Sequence, residues 1–195
     1  NYYKNLFKII KHNKNNLEVI VLTDYLMTKK EEREFEGIKI IKSNIFDRKS
    51  KIKKIFNLFS IFIFGKNLIL DNFLVNNDIR IISHTNFTGR NSNVPSLKWF
   101  PDFQEYKFPK NFSLRQKIAR NLDIYLSSNH ASKILISSKS VQNDLKKINL
   151  KAFKNSKILY HTTYIDKKIK FLSFNELKKK FNLKSKFFYL PNHFW

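Results

Sequence analysis

The sequence predicts an α/β fold in which a Rossmann-like parallel sheet carries helices on both of its faces. Three observations lead to this prediction. Short apolar runs, rich in β-branched and aromatic residues, alternate along the chain with amphipathic stretches. No hairpin turn signal joins one run to the next. The runs are also mostly apolar rather than alternating, which is typical of strands that are buried on both faces of a sheet.

The elements follow from these runs in chain order. Apolar runs bounded by turn residues predict strands at 17–22, 38–41, 78–85, 97–100, 133–136, 157–160 and 187–190. Apolar residues at three- and four-residue spacing predict helices at 50–64 and 68–75. Capping boxes begin two further helices, at Ser113 with Gln116 and at Ser173 with Glu176, and Ser137-Ser138 caps another.

The helix that follows Ser113 has an apolar face with residues at positions 114, 118, 122 and 125. Most aromatic residues of the chain lie on such helix or strand faces. We therefore expect the aromatic residues to form the hydrophobic core rather than a surface on which nucleic-acid bases stack.

The chain is strongly basic, with 38 Lys and Arg against 15 Asp and Glu and a net charge of +23. This balance suits nucleic acid, an anionic membrane or an anionic substrate. The excess is nearly all Lys, accompanied by many Asn, Ile and Phe, which is the mixture that AT-rich codons produce. A phosphate-binding surface usually contains more Arg. We therefore expect no nucleic-acid partner, and a non-catalytic basic α/β module that binds nucleic acid stays as the alternative.

Residue types exclude several kinds of site. The chain has no cysteine, hence no disulfide, thiolate metal ligand or cysteine nucleophile. With three glycines it contains neither a G-x-G-x-x-G motif nor a phosphate-binding loop. The five histidines have no metal-ligand spacing. We expect neither a metal nor a cofactor.

The longest apolar run, 55–64, is too short for a membrane span, which needs about twenty residues. The opening segment has no small-residue cleavage site. We expect a cytoplasmic protein that can associate peripherally with the inner face of the plasma membrane. Because the chain begins at Asn1 and ends at Trp195 directly after an apolar run, we expect a fragment of a longer protein.

In parallel α/β sheets, ligands bind beyond the carboxyl ends of the strands. His84 follows a predicted strand, where it could face a ligand or satisfy a backbone carbonyl. Asp102 could cap a turn, accept a hydrogen bond from a sugar hydroxyl or act as a base. Thr88 and Arg90 flank a glycine in a turn that could contact a phosphate or carboxylate. The sequence places these groups on one rim, with segments 23–24, 84–90, 102–106, 137–138 and 161–162.

Four segments occur in an order and spacing that are specific to one protein family. Residues 99–105 read W-F-P-D-F-Q-E, residues 108–113 read F-P-K-N-F-S, and residues 131–145 read A-S-K-I-L-I-S-S-K-S-V-Q-N-D-L. The chain closes on F-F-Y-L-P-N-H-F-W. In this order and spacing, from about residue 79 to residue 195, the chain resembles the N-terminal domain of mannosyltransferase-like members of glycosyltransferase family 4.

The resemblance implies a retaining GT-B-type enzyme of two facing Rossmann-like halves. Residues 1–185 would form the acceptor-side domain and 186–195 the interdomain strand, with the donor-binding half outside this chain. Such an enzyme transfers a mannose-like sugar from a nucleotide-sugar donor to a glycan or lipid-linked acceptor in polysaccharide or glycolipid synthesis. It uses no metal, and its nucleotide sugar is a co-substrate bound mainly by the other half. This fragment alone would be inactive.

The resemblance also implies roles for individual residues. Asp102 is the candidate catalytic residue, and Asn192 and His193 would lie near the donor. The acceptor contacts it implies are His84, Thr88, Arg90, Gln104 and Glu105. Glu105 stands where many relatives have histidine, and His193 stands where glutamine is commoner. A degenerate gene fragment is a third reading of the same sequence.

Overall fold

The described strands are all parallel, and two of the residues that the sequence predicts at the site, His84 and Asp102, closely follow such strands. The computed structural model describes residues 2–12, 17–47, 51–84, 88–161 and 172–184. The strands are Ile20–Thr23 (β1), Lys39–Lys42 (β2), Ile82–Ser83 (β3), Ser96–Phe100 (β4), Lys133–Ile136 (β5) and Ser156–Ile158 (β6). The helices are Tyr2–His12 (α1), Lys29–Arg33 (α2), Lys51–Phe64 (α3), Leu68–Asn76 (α4), Gln104–Lys107 (α5), Leu114–His130 (α6), Lys139–Ile148 (α7), Leu150–Lys154 (α8) and Phe174–Lys180 (α9). The predicted α/β class with helices around parallel strands is confirmed.

The described strands form two sheets rather than the single predicted one. β1 pairs with β2, while β3, β4, β5 and β6 form a four-stranded sheet in that order. Every pair is parallel, with Leu97 opposite Lys133 and Ile134 opposite Ser156. Because the strands are parallel, their carboxyl ends lie at one edge of the sheet, which we call the carboxyl edge.

The main hydrophobic core covers one face of the four-stranded sheet. Phe100, Ile134 and Ile136 point from β4 and β5 toward α6, α7 and α8, where they meet Ile124 and Leu145. Fully burying a Phe, Ile or Leu side chain contributes about 1.5–3 kcal/mol each. This core therefore fixes the two central strands and the loops that leave them.

The capping box predicted for α6 is confirmed, because the side chains of Ser113 and Gln116 each accept a hydrogen bond from the other's backbone N–H. The apolar face predicted for this helix, however, points to solvent. Its four residues are each at least half exposed: Leu114, Ile118, Leu122 and Tyr125. The helix buries Ile124 and Ser127 instead. The expectation that such apolar faces form the core is wrong for α6, since spacing identifies a face but not what packs against it.

The third strand is shorter than the predicted 78–85. Asp78 has a φ of 55°, and the Ile79 N–H donates to the Leu74 carbonyl at 2.9 Å. These residues therefore end α4 instead of beginning a strand. Of the described residues in this range, Ile82 and Ser83 pair with β4.

The chain enters β4 through residues 88–95, which we call the return segment. It lies against the turn between α3 and α4, where the Asn67 N–H donates to the Thr88 carbonyl at 2.8 Å. The Asn91 N–H donates to the Gly65 carbonyl at 3.1 Å. Gly89 comes so close to this turn that a Cβ on it would lie 2.4 Å from the Gly65 oxygen. Two backbone segments thus cross in direct contact.

The chain divides into two compact units, residues 1–162 and residues 163–195. In the second unit, α9 begins at the predicted capping box, in which Ser173 and Glu176 bond reciprocally. The predicted closing strand at 187–190 and the predicted domain boundary after residue 185 lie outside the described residues.

Candidate functional site

His84 follows β3 at the carboxyl edge and has a φ of 60°. This left-handed backbone is uncommon for a residue other than glycine, although histidine adopts it more often than most. The His84 N–H donates to the Leu97 carbonyl at 3.0 Å, and its Nδ1 lies 2.7 Å from the Ser83 hydroxyl. Such strained positions cluster at functional sites. His84 is therefore held in place where a ligand of this sheet would bind.

Aromatic rings surround His84. Its ring lies 5.3 Å from the Trp99 ring and 5.5 Å from the Tyr3 ring of α1, measured between centroids. Trp99 in turn contacts His161 edge-on at 5.6 Å. We call these four residues, from α1 and from the ends of β3, β4 and β6, the edge cluster. It brings two imidazoles and an indole together at the carboxyl edge.

Asp102 lies two residues beyond β4 and is half-buried. Its Oδ2 accepts a hydrogen bond from the Gln104 Nε2 at 3.0 Å. The Ser137 hydroxyl donates to the Pro101 carbonyl at 2.6 Å, which ties the end of β4 to the end of β5. Within the described part of the chain no hydrogen bond reaches Asp102 Oδ1. The structure therefore brings His84, Asp102 and Gln104 to the predicted edge.

Thr88 and Arg90 lie elsewhere. Thr88 is fully buried, and its hydroxyl donates to the Val94 carbonyl at 2.7 Å. Its N–H donates to the hydroxyl of Ser96, the first residue of β4. The return segment therefore lies at the opposite edge of the sheet, where the strands begin. Asp102 lies beyond the other end of β4, about 13 Å or more away at the usual rise per residue. The prediction that puts residue 88 on one rim with residue 102 is therefore wrong, because a parallel connection has to return to the opposite edge.

Arg90 is exposed beside the end of α6. Burial, followed by the positive charges of Arg90 and Lys151, lowers the pKa of His130 in that last turn. Arg90 thus acts electrostatically on His130. We leave Thr88 and Arg90 out of the proposed site.

Glu105 is directed to α6. Its Oε1 accepts a hydrogen bond from the Arg120 Nε at 2.9 Å, while Oε2 is buried and accepts none from the residues that the structure describes. A cavity of about 200 Å³ lies beside it, lined also by Tyr106 and Asn121. The ion pair with Arg120 neutralises the Glu105 carboxylate, so we assign this residue to holding α5 on α6.

The remaining predicted site residues, Asn192 and His193, lie outside the described residues. Among those that are described, no group of three or more His, Asp or Glu side chains is arranged to hold a metal ion. The absence of a metal and of a cofactor stays a prediction.

The sequence placed His161 on the rim, but it did not identify Trp99 and Tyr3 as residues that contact the histidines there. The position of Trp99 one residue before the end of the predicted strand 97–100 was a usable signal, because ligands of such sheets bind beyond the carboxyl ends of the strands. Tyr3 carried no such signal, since its contact with His84 joins distant parts of the chain. Comparison with protein-family models, with curated proteins and with solved structures finds no match.

Burial lowers the pKa of the His84 imidazole below its ordinary value, because a buried imidazolium loses hydration. We expect an NMR titration to give His84 a lower midpoint than an exposed histidine. The variant Trp99→Ala should raise that midpoint by admitting water to the ring. Tyr125→Ala, which removes an exposed ring on α6, should leave it in place. An unchanged midpoint in Trp99→Ala would contradict the packing described for the edge cluster.

Proposed function

We propose that this chain is the acceptor-side part of a retaining glycosyltransferase. In this proposal the enzyme moves a mannose-like sugar from a nucleotide sugar to a glycan or lipid-linked acceptor hydroxyl, in polysaccharide or glycolipid synthesis. The donor would bind mainly to a second half outside these residues, and neither a metal nor another cofactor is proposed. The proposed location is the cytoplasm, at the inner face of the plasma membrane.

The observation that carries the proposal is the edge cluster at the carboxyl edge, with Asp102 three residues after Trp99 in the chain. An indole ring packs against the C–H face of a sugar, while imidazole and carboxylate accept hydrogen bonds from sugar hydroxyls. A neutral His84, favoured by its lowered pKa, can accept such a bond. Nearby Pro101 and Gln104 belong to the segment on which the resemblance to glycosyltransferase family 4 depends.

Asp102 has the proposed catalytic role. In the transfer, the acceptor oxygen bonds to the anomeric carbon as the bond from that carbon to the diphosphate breaks. The hydroxyl gives up its proton to the Asp102 carboxylate, which acts as the general base. The Asp102 carboxylate accepts a hydrogen bond from this hydroxyl and orients its oxygen, with Gln104 holding the carboxylate through Oδ2.

The test is transfer of radiolabelled sugar by the full-length gene product, with a panel of nucleotide sugars and membrane extract as acceptor. We expect Asp102→Asn to lower turnover by about a hundredfold or more, the usual range for losing an acid–base group. The matched control is Asp78→Asn, because Asp78 is exposed and its left-handed backbone suits asparagine. Equal turnover by Asp102→Asn and wild type would contradict the assignment.

The rival module for nucleic acid makes a different prediction. It requires salt-dependent binding of DNA or RNA by this chain alone, with affinity falling steeply as salt rises. Tight binding of that kind, together with no sugar transfer from any donor in the panel, would replace the enzyme proposal.

A further inference from the structure

Helix α3 carries its apolar residues on the outside. Ile55, Phe59 and Phe62 are 68%, 61% and 69% exposed. Four more apolar side chains of the same helix are exposed: Phe56, Leu58, Ile63 and Phe64. Exposed apolar residues are ordinary when they are scattered, but a contiguous patch on one helix marks a surface that contacts something else.

The inner side of α3 is unusually polar, and it fixes the orientation of the helix. Ser60 is buried, where its hydroxyl donates to the Lys66 carbonyl at 2.8 Å and accepts from the Leu68 N–H at 3.1 Å. Next to it, Ile61 packs against Leu126 at the end of α6. Rolling α3 to bury its phenylalanines would break these bonds. The apolar side is therefore held outward.

The charge around this apolar side has one sign. Residues 48–54 contain one arginine and four lysines, and no acidic residue occurs between Asp47 and Asp71. A basic segment leading into an exposed aromatic face complements an anionic surface that has an apolar interior. A second copy of the chain fits less well, because it would bring a second cluster of five cations to the first.

The length of α3 decides whether the helix could cross a membrane or only lie on its surface. At 14 residues the helix is about 21 Å long, shorter than the roughly 30 Å hydrocarbon core. Among the described residues no single helix meets the length and hydropathy of a span; only the bent pair Ile55–Phe64 and Leu68–Asn76, at 87°, does so jointly. In α4, however, Leu70, Asp71 and Leu74 are buried in the protein. The second member of that pair is thus a core helix.

We propose that α3 is the helix by which this protein docks on an anionic lipid bilayer. Its phenylalanines enter the boundary between headgroups and acyl chains, and the basic sequence around the start of the helix favours anionic headgroups. The inference deepens the proposed function, since it names the surface by which the enzyme reaches a lipid-linked acceptor. Docking itself requires no sugar transfer, so the two are measured separately.

The experiment is sedimentation of the full chain with vesicles, without nucleotide sugar. One set is phosphatidylcholine, and the other is an equimolar mixture of phosphatidylcholine and phosphatidylglycerol. We expect the mixed vesicles to bind at least about tenfold more tightly at low salt, with the difference shrinking as salt rises. Phe59→Asp should weaken binding to them by about tenfold or more, because it removes a large apolar side chain and adds a negative charge.

Leu150→Asp is the matched control, because Leu150 is 54% exposed on another helix, α8. This variant should bind the vesicles as wild type does. Equal binding to both kinds of vesicle, or wild-type binding by Phe59→Asp, would overturn the proposal. So would a wild-type dimer that Phe59→Asp converts to a monomer in light scattering, since the face would then join two copies. Transfer to a water-soluble acceptor tests the proposed enzyme independently, and loss of docking alone should leave that activity intact.

Discussion

Replacing Gly89 by alanine is expected to lower the free energy of unfolding by about 4 kcal/mol or more, an exceptional loss for one methyl group. Gly89 has a φ of 117°, which side chains rarely adopt. The new Cβ would lie 2.4 Å from both the Gly65 oxygen and the Lys66 Cα. Because both are backbone atoms, no change of rotamer relieves the clash. The return segment would have to leave the α3–α4 turn.

Urea denaturation of the chain, followed by circular dichroism, measures this loss as a lower midpoint. Gly37→Ala is the matched control, because Gly37 also has a positive φ, 77°, but is exposed. Gly37→Ala should lower the free energy of unfolding by about 1–2 kcal/mol, which is the cost of holding alanine in this backbone conformation. If Gly89→Ala loses no more than Gly37→Ala, the contact between the two segments is not as close as described.

Asp71→Ala should lower the free energy of unfolding by about 3 kcal/mol, the lower end of the range for breaking a buried ion pair. The Asp71 side chain is fully buried, and the Lys66 Nζ that pairs with it at 2.8 Å is partly exposed. Three further hydrogen bonds reach it from the return segment: from Ser92 Oγ at 2.5 Å, Asn93 N at 2.9 Å and Asn93 Nδ2 at 3.1 Å. The variant leaves all of these donors without their acceptor.

The same residue gives stability a dependence on pH. Burial by itself raises the pKa of Asp71, but the hydrogen bonds from Lys66, Ser92 and Asn93 outweigh it and lower the pKa overall. The unfolded chain therefore takes up the proton first as the pH falls. The stabilisation is complete above the ordinary carboxyl pKa of about 4 and is lost as the pH falls through the folded-state value.

Urea midpoints measured across this acidic range should thus fall more steeply for wild type than for Asp71→Asn. Asp78→Asn, at an exposed position, should follow the wild-type curve. Parallel curves for wild type and Asp71→Asn would contradict the assigned pKa direction.

The parts of the fold that were predictable from sequence depend on neighbouring residues. The capping boxes at Ser113 and Ser173 are read directly from spacing, and β5 spans the predicted residues because its apolar run is bounded on both sides. His84 and Asp102 were placed at the carboxyl edge by following two strands. In each case the cause lies within a few residues.

The errors concern relations between distant residues. The apolar face of α6 and the phenylalanines of α3 are exposed because the other side of each helix packs against the rest of the protein. Residue spacing does not encode which side that is. Thr88 was assigned to the carboxyl edge, but its N–H contacts Ser96, the first residue of β4, a relation that spacing does not encode. Trp99 joined the candidate site through the rings of two distant residues, His84 and His161.

The crossing of the return segment over the α3–α4 turn also limits how the composition of this chain can change. The sequence has three glycines, and two of them, Gly65 and Gly89, meet at that one crossing. Glycine codons are rich in G and C, so the AT-rich bias that favours lysine and asparagine acts against them at every position. At Gly89 the facing backbone leaves no room for any replacement. The close contact between these two loops therefore limits how far mutational bias can lower the number of glycines in this fold.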